Sequence, residues 1–347
     1  MQSISANHQI ANWGQTVLST LLDSISHMVT RKEANYGSPS LEICKQDAVA
    51  RILGEHPLFC LPFQPVNCRN YVGWGLRSGQ HARQMALRHN APALLLEDGF
   101  LRSFNRLDPP LGIAIDDLGI YYDAHAPSRL EKLIPTRLTA EQEERICAIL
   151  QQWRQLRLSK YNAGSEYSGP LPDNYVLVVD QVHNDASIRF GMADSAAFQL
   201  MLDAACKENP DSVVVVKMHP DIFTKSKSGH FDVRQLQQRQ NIMVIAENCL
   251  PSRLIENANR IYTVTSQIGF EALIWQKPVR CFGMPFYAGW GLTEDHLQAP
   301  ERRTKVDFLQ LAMAALIFYP RYIDWRIGQA CEIERAIDYL AELKQKA

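Results

Sequence analysis

The sequence predicts an α/β protein built from two Rossmann-like domains with parallel sheets facing a central cleft. Three observations predict it. Short continuous apolar runs, such as YVLVV at 175–179 and VVVV at 213–216, read as strands buried on both faces. These runs alternate with segments of helical spacing. A stretch rich in Gly, Ser, Pro and Asn, YNAGSEYSGPLPDN at 161–174, interrupts the alternation and splits 347 residues into two blocks of domain size. The expected division is a first domain at 1–165, a second at 166–320, and a C-terminal helical segment at 321–347 packing back on the first.

Taken in order, Ile10, Trp13, Val17, Leu21, Ile25 and Met28 recur near helical spacing. They predict an amphipathic helix whose apolar stripe packs on the body of the protein, or alternatively lies on a membrane surface. A second helix is expected over 41–55, ahead of the proline-punctuated HPLFCLPFQPVN. YVGWG reads as a strand leaving into a Gly-rich turn, and SGQHARQMALRHN as the helix after it. APALLLEDGF is the next strand, ending in Glu97, Asp98 and Gly99. LGIAIDDLGIYYDA is expected to hold a strand, a turn at Asp116 and Asp117, and a further strand. Turn chemistry suits that acidic pair better than metal binding. Helices are expected from Ser128 to about Lys160, with Thr139 as an N-cap. Beyond the linker, NYVLVVD, SVVVVKMHP, NIMVIAE, RIYTVTS and KPVRCFGM read as strands; SAAFQLMLDAACKENP, SRLIENAN and IGFEALIWQ read as helices.

Composition narrows the function classes. Hydrophobic residues make up 46% and charged residues 21%, and the net charge is −1. Such a balance gives no global reason to expect nucleic acid or an anionic membrane as partner. The eight cysteines are scattered without a C-x-x-C pair, which predicts a reducing compartment rather than disulfides or zinc. The N-terminus lacks the basic and apolar regions of a secretory signal, and no apolar run is long enough to span a bilayer. A cytoplasmic protein, at most peripheral on a membrane, is expected.

Ligands of open α/β sheets bind beyond the carboxyl ends of the strands, and the polar residues of the second half collect there. One strand runs into Asp180, Gln181 and Asp185, another into Lys217 and His219, a third into Thr265, Ser266, Gln267 and Glu271. Thr265 to Gln267 precede a helix start, where hydroxyls and free N–H groups hold a phosphate. Lys217 and His219 suit the same anion, and such a cluster stabilises charge on a departing nucleotide. Singly, Ser266 reads equally as a helix cap and His219 as a loop hydrogen-bonder. Neither a P-loop nor a dinucleotide G-x-G-x-x-G follows a strand, and no His/Cys cluster has metal-ligand spacing.

Six segments then occur together: LEDGFLRS (96–103), IDDLGIYYDA (115–124), VVDQVHNDASI (178–188), VKMHPD (216–221), VTSQIGFEAL (264–273) and CFGMPFYAGWGLT (281–293). In this order the chain resembles the modules of bacterial capsule β-Kdo transferases of the KpsC type, from about Tyr71 to the C-terminus. Typical members carry two tandem modules; this sequence holds one. The resemblance implies a GT-B architecture, with a CMP-Kdo donor held mostly by the second domain and the acceptor mostly by the first. It implies transfer with retention, Asp185 as nucleophile, and His219 with Pro220 at the CMP phosphate, as in the similar bacterial sialyltransferases. No cofactor or essential metal is implied. A carboxylate that traps the sugar covalently and releases it to the acceptor gives two inversions and net retention. Glu97 or Asp98 is the candidate base, Arg102 and Arg189 the candidates for Kdo's carboxylate, and Glu271 for ribose hydroxyls. The alternative for Asp185 is a cap on the helix near Ala186. The partners implied are a lipid-linked or Kdo-terminated glycan acceptor and other capsule assembly enzymes, on the inner face of the bacterial inner membrane. Rival readings are another GT-B enzyme, a sugar-nucleotide epimerase or polyol-phosphate transferase, and a catalytically silent module that binds nucleotide or glycan.

Overall fold

A computed structural model describes residues 19–20, 22, 34–61, 67–219 and 228–346. The helix expected around Ile10 to Met28 has its apolar markers outside the described residues. The chain divides into two compact units, one of 1–99, 109–120 and 320–336, the other of 100–108, 121–319 and 337–347.

The first unit contains β1 (Ala34–Ser38), α1 (Leu41–Lys45), α2 (Asp47–Leu53), β2 (Leu58–Phe59), β3 (Cys68–Trp74), α3 (Gly75–His89), β4 (Ala93–Asp98) and β5 (Gly112–Asp116). The second runs through α4 (Arg129–Leu133), α5 (Ala140–Gln155), β6 (Tyr175–Val179), α6 (Ala186–Phe190), α7 (Ala196–Glu208), β7 (Val213–Lys217), α8 (Val233–Gln237) and β8 (Ile242–Ile245). It continues with α9 (Ser252–Asn257), β9 (Ile261–Thr263), α10 (Gln267–Ile274), β10 (Val279–Cys281), β11 (Glu294–Asp295) and α11 (Phe308–Met313), which passes into a π-helical turn at Ala314–Phe318. Strands β12 (Pro320–Asp324) and β13 (Gln329–Cys331) return to the first unit, and α12 (Ile333–Lys346) ends the described chain.

The second sheet, in the order β11-β10-β9-β6-β7-β8, is parallel throughout, as expected from its apolar strands. Val176 and Val178 of β6 and Val214 and Val216 of β7 pack against Phe198, Met201 and Leu202 of α7. The first sheet, in the order β13-β12-β5-β4-β3-β1-β2, is mixed rather than parallel. β1 to β4 pair in parallel, while β5 runs antiparallel to both β4 and β12. No helix separates β4 from β5 to carry a parallel crossover, so the chain folds back on itself.

Four expectations are corrected. The expected boundary at 165 falls inside the second unit, because α5 packs on α10 and α11 and Arg154 donates to the Ile274 carbonyl at 2.9 Å. Tyr161 to Asn174 is tied down rather than free: Glu166 accepts from Arg157, Ser252 and the Arg253 amide. The segment 321–347 begins as two strands of the first sheet before becoming helix. The expected strand after Asp116 is also replaced by turns, since buried Asp116 accepts from the Leu118 and Gly119 amides at 2.9 and 2.7 Å. That Asx turn is the chemistry expected of the acidic pair. Thr139 caps α5 through a full capping box. Among the described residues, no helix is long and apolar enough to cross a membrane.

The entry from β3 into α3 depends on bare backbone. A Cβ on Gly73 would lie 2.5 Å from the Cα of Gly79, which sits one turn into α3. Gly73→Ala is therefore expected to destabilise the protein by ~2–4 kcal/mol. Equilibrium denaturant unfolding measures this, and an unchanged midpoint would refute the close approach.

Candidate active site

In the second sheet the chain leaves β6 outward to β7 and β8, then returns to β9 on the other flank of β6. The carboxyl ends of β6 and β9 therefore form a topological switch point, where connecting loops part and leave room for a ligand. Gln181 and Thr265 stand one on each side of it. The Gln181 amide donates to Thr265 Oγ1 at 3.0 Å and accepts from the Thr265 N–H at 2.9 Å. Ser187 Oγ lies 3.1 Å from Thr265 Oγ1. A buried amide thus clamps the two loops and gathers hydroxyls at their mouth.

Two glycines complete the clamp. Cβ atoms on Gly191 and Gly283 would lie 2.6 and 2.7 Å from Thr265 Cγ2, and the Gly191 carbonyl accepts from the Met284 N–H at 2.7 Å. Neither they nor Ser187 were among the residues expected from the sequence. A signal exists: the tripeptide FGM occurs at 190–192 and 282–284, with its two glycines meeting at one threonine.

Ser266 caps α10, its Oγ accepting from the Ile268 N–H at 3.3 Å, while Tyr287 donates to the Ser266 carbonyl. Asp185 caps α6, accepting from the Ser187 N–H at 2.9 Å, so the capping alternative is realised. It remains solvent-exposed, and its second oxygen has no hydrogen-bond partner among the described residues. His219, half-buried, follows β7, the neighbour of β6, so Asp185 and His219 belong to the same edge of one sheet. Pro220 lies outside the described residues.

Several expected ligands face elsewhere. Glu271 is 2% exposed, and its carboxylate accepts from Ser159 Oγ at 2.8 and 3.0 Å, the Lys160 N–H at 3.1 Å and Gln267 Nε2 at 3.2 Å. It anchors the segment after α5 and is closed to a ribose. Gln267 is turned the same way and also donates to the Phe100 carbonyl. Arg102 donates from Nη1 to Ser103 Oγ and to the Arg106 and Asp108 carbonyls, which makes it a loop brace. Arg189 is exposed and stands over the Phe190 ring. Glu97 accepts from Trp74 Nε1 and from the Asp98 N–H at the end of β4, in the first unit.

Lys217 also departs from expectation. Val214 and Val216 face α7, so strand alternation turns Lys217 to the opposite face, where it is 4% exposed. Its ammonium makes no well-formed hydrogen bond among the described residues, while the Cys249 thiol is close enough to feel both its charge and a weak hydrogen bond from it. Asp180 is likewise buried. Its Oδ1 accepts from the Gln181 and His230 amides and its Oδ2 has no partner among the described residues. Burial pushes Asp180 up to about 7 and His230 down to about 4. His230 stacks on Phe198 and on His183, and neither histidine is a site residue expected from the sequence. Among the described residues, no group of three or more His, Cys, Asp or Glu is placed to hold a metal ion.

Two expected outcomes follow from the buried charges. Lys217→Met keeps the stem and removes the buried ammonium, and is expected to stabilise the protein by ~1–3 kcal/mol in denaturant unfolding. A loss of stability would mean that the ammonium is paired. Burial pushes Glu271 from 4.5 up to about 7. A carboxyl raised on folding favours the protonated native state, so its stabilising contribution is full below about 4.5 and disappears as pH rises to about 7. The loss is ~3 kcal/mol. Glu271→Gln is expected to flatten the pH dependence of stability in that window, and an unaltered slope would refute the assignment.

With this geometry, known proteins can be compared. The family model described as capsule polysaccharide biosynthesis protein matches residues 70–162 and 144–322. The chain is 41% identical over 297 residues to the capsule polysaccharide modification protein LipA of Neisseria meningitidis serogroup B, covering 79% of this chain and 41% of LipA. It therefore spans about two-fifths of that relative's length. It is 37% identical over 282 residues to the lipopolysaccharide-processing protein LpsZ of Rhizobium meliloti, covering 78% and 63% of the two chains. Among solved structures, the Thermosulfurimonas dismutans KpsC β-Kdo 2,4 transferase matches with TM-score 0.81 and 37% identity, over 88% of this chain and 97% of that one. The β-Kdo 2,7 transferase of the same KpsC matches with TM-score 0.65 and 28% identity, over 90% and 99%. The fold is of the expected α/β, GT-B-like class, and the chain belongs to the capsule polysaccharide biosynthesis protein family.

Proposed function

We propose that the chain is a retaining glycosyltransferase that moves Kdo from CMP-β-Kdo to a Kdo-terminated or lipid-linked acceptor in capsule polysaccharide synthesis. The observation that carries this reading is the likeness to the KpsC β-Kdo 2,4 transferase, which extends over nearly all of that chain. The hydroxyl set at the β6–β9 switch point supports a phosphate there. The higher identity and TM-score to the 2,4 than to the 2,7 transferase favours a β2,4 linkage.

In the proposed reaction an Asp185 oxygen attacks the anomeric C2 of Kdo while the C2–O bond to phosphate breaks and CMP departs with the electron pair. An acceptor hydroxyl then attacks C2 from the opposite face, the aspartyl ester bond breaks, and the carboxylate is restored. Two inversions leave a β-linked product. The exposure of Asp185, and a second oxygen without a hydrogen-bond partner among the described residues, suit a nucleophile that must reach a sugar. His219 is proposed to donate to the departing phosphate, and Ser187, Thr265 and the α10 start to surround it. As it attacks, the acceptor gives its proton to a second group. Glu97 and Asp98 remain the candidates, tested singly as Glu97→Gln and Asp98→Asn. Peripheral association with a membrane belongs to the same proposal.

Incubation with CMP-Kdo and a Kdo-terminated glycolipid is expected to release CMP and lengthen the glycan, with the linkage read by NMR. Asp185→Ala is expected to lower turnover by at least about 10³-fold while CMP still binds. His219→Ala is expected to weaken CMP binding by about tenfold, measured by calorimetry. Normal turnover by Asp185→Ala would remove the aspartate from the mechanism.

A further inference from the structure

We propose that Cys60 and Cys68 form a reversible oxidation site in the first unit, closing to a disulfide when hydrogen peroxide, a two-electron oxidant, reaches them. The site is independent of the transfer reaction proposed above.

The order of the strands brings the two sulfurs together. Cys60 directly follows β2 and Cys68 opens β3, and β1 lies between these strands in the sheet. The Cys60 N–H donates to the Ser38 carbonyl of β1 at 2.8 Å, and the Ala34 N–H donates to the Asn67 carbonyl, just before Cys68, at 3.3 Å. The two side chains meet over Gly37, where a Cβ would lie 2.5 Å from Cys68 Sγ and 2.9 Å from Cys60 Sγ. With no side chain between them, the sulfurs stand 3.8 Å apart. A disulfide needs about 2.0 Å, so the approach still to be made is short.

The pair is chemically unequal. Their shared hydrogen bond holds the Cys68 thiol below its ordinary range, whereas that bond and burial push Cys60 up. Cys68 is thus the attacking thiolate and Cys60 the resolving thiol. The Cys68 sulfur attacks one peroxide oxygen and the O–O bond breaks. The departing hydroxide takes up the proton that Cys68 gave, leaving a sulfenic acid and one water. The Cys60 sulfur then attacks Cys68 Sγ, the S–O bond breaks, and hydroxide leaves with the Cys60 proton as a second water. Two thiols are oxidised to one disulfide, and one peroxide is reduced to two waters. Cys44 is close enough to feel the Cys68 charge, but burial pushes its thiol up to about 12 and keeps it protonated.

Both reacting sulfurs are buried. Leu61, next after Cys60, is nonetheless 45% exposed, and β2 is an edge strand of two residues, so a water-sized oxidant has little structure to part. In a reducing compartment the bond is temporary, undone by thiol exchange. While it lasts it ties the edge strand to β3 across β1 and closes the chain between 60 and 68, which restricts the unfolded chain.

The test treats the full chain with hydrogen peroxide, alkylates the remaining thiols, and maps the peptides by mass spectrometry. A peptide pair joined through Cys60 and Cys68, lighter by two hydrogens, is expected, and dithiothreitol is expected to separate it. Oxidation is expected to raise the thermal unfolding midpoint by at least about 2 °C. Cys68→Ala is expected to abolish both effects, whereas Cys147→Ser, which removes an exposed thiol, leaves both intact. The map is read on the unaltered chain, so it decides the matter even if Cys68→Ala fails to fold. Overoxidised Cys68 with no joined pair, a disulfide to Cys44 instead, or oxidation confined to Cys147 overturns the site. So does a joined pair that forms only after denaturation.

Discussion

The second unit is organised by one buried amide. Gln181 spans the gap where the chain, having built β6, β7 and β8, returns to build β9 on the other side. Two loops leaving in opposite directions have no backbone ladder to hold them together, so a side chain must. A glutamine suits the task because its amide donates and accepts at once, and Thr265 offers a matching N–H and hydroxyl. With the loops closed to this distance, only glycine fits at 191 and 283. Ser187, Thr265 and Ser266 are then presented together rather than scattered over separate turns.

The polar groups buried around this edge fall into two kinds. Glu271 has its oxygens filled by four donor contacts and works as a rivet between α10 and the segment after α5. Arg303 and Arg302 on Glu131 are a second rivet of this sort, with Arg303 also taking the Pro285 and Ala288 carbonyls. Asp180 and Lys217 differ, because each keeps an atom that is buried and without a partner among the described residues. Burying such groups costs stability, and both stand at strand ends, Asp180 directly after β6 and Lys217 as the last residue of β7.

Legibility from the sequence varied with the range of the interaction involved. The parallel second sheet was readable because β6, β7 and β8 are continuous apolar runs, a local property, whereas the two-residue acidic β11 left no such signal. The capping box at Thr139 and the Asx turn at Asp116 were readable for the same reason: the bonded groups lie within three residues of each other. The positions at the strand ends were also readable, since Gln181, Thr265 and Ser266 sit where an apolar run stops. Their individual tasks were not. Gln267 and Glu271 follow Ser266 in sequence but turn toward 100–108 and 159–162, because a helix rotates successive side chains away from one another. Lys217 continues the strand and so takes the face opposite its neighbours.

The amino-acid sequence by itself determined the α/β class, the positions of the long elements, the family and the edge on which polar groups collect. All follow from local periodicity and the order of short motifs. Only the tertiary structure decided that β12 and β13 complete the first sheet, that Tyr161 to Asn174 belongs within the second unit, and that Glu271 is a rivet. Each of these rests on hydrogen bonds or packing between residues far apart in the chain, and the partner of a buried group is chosen by where the backbone brings it, which no local pattern encodes.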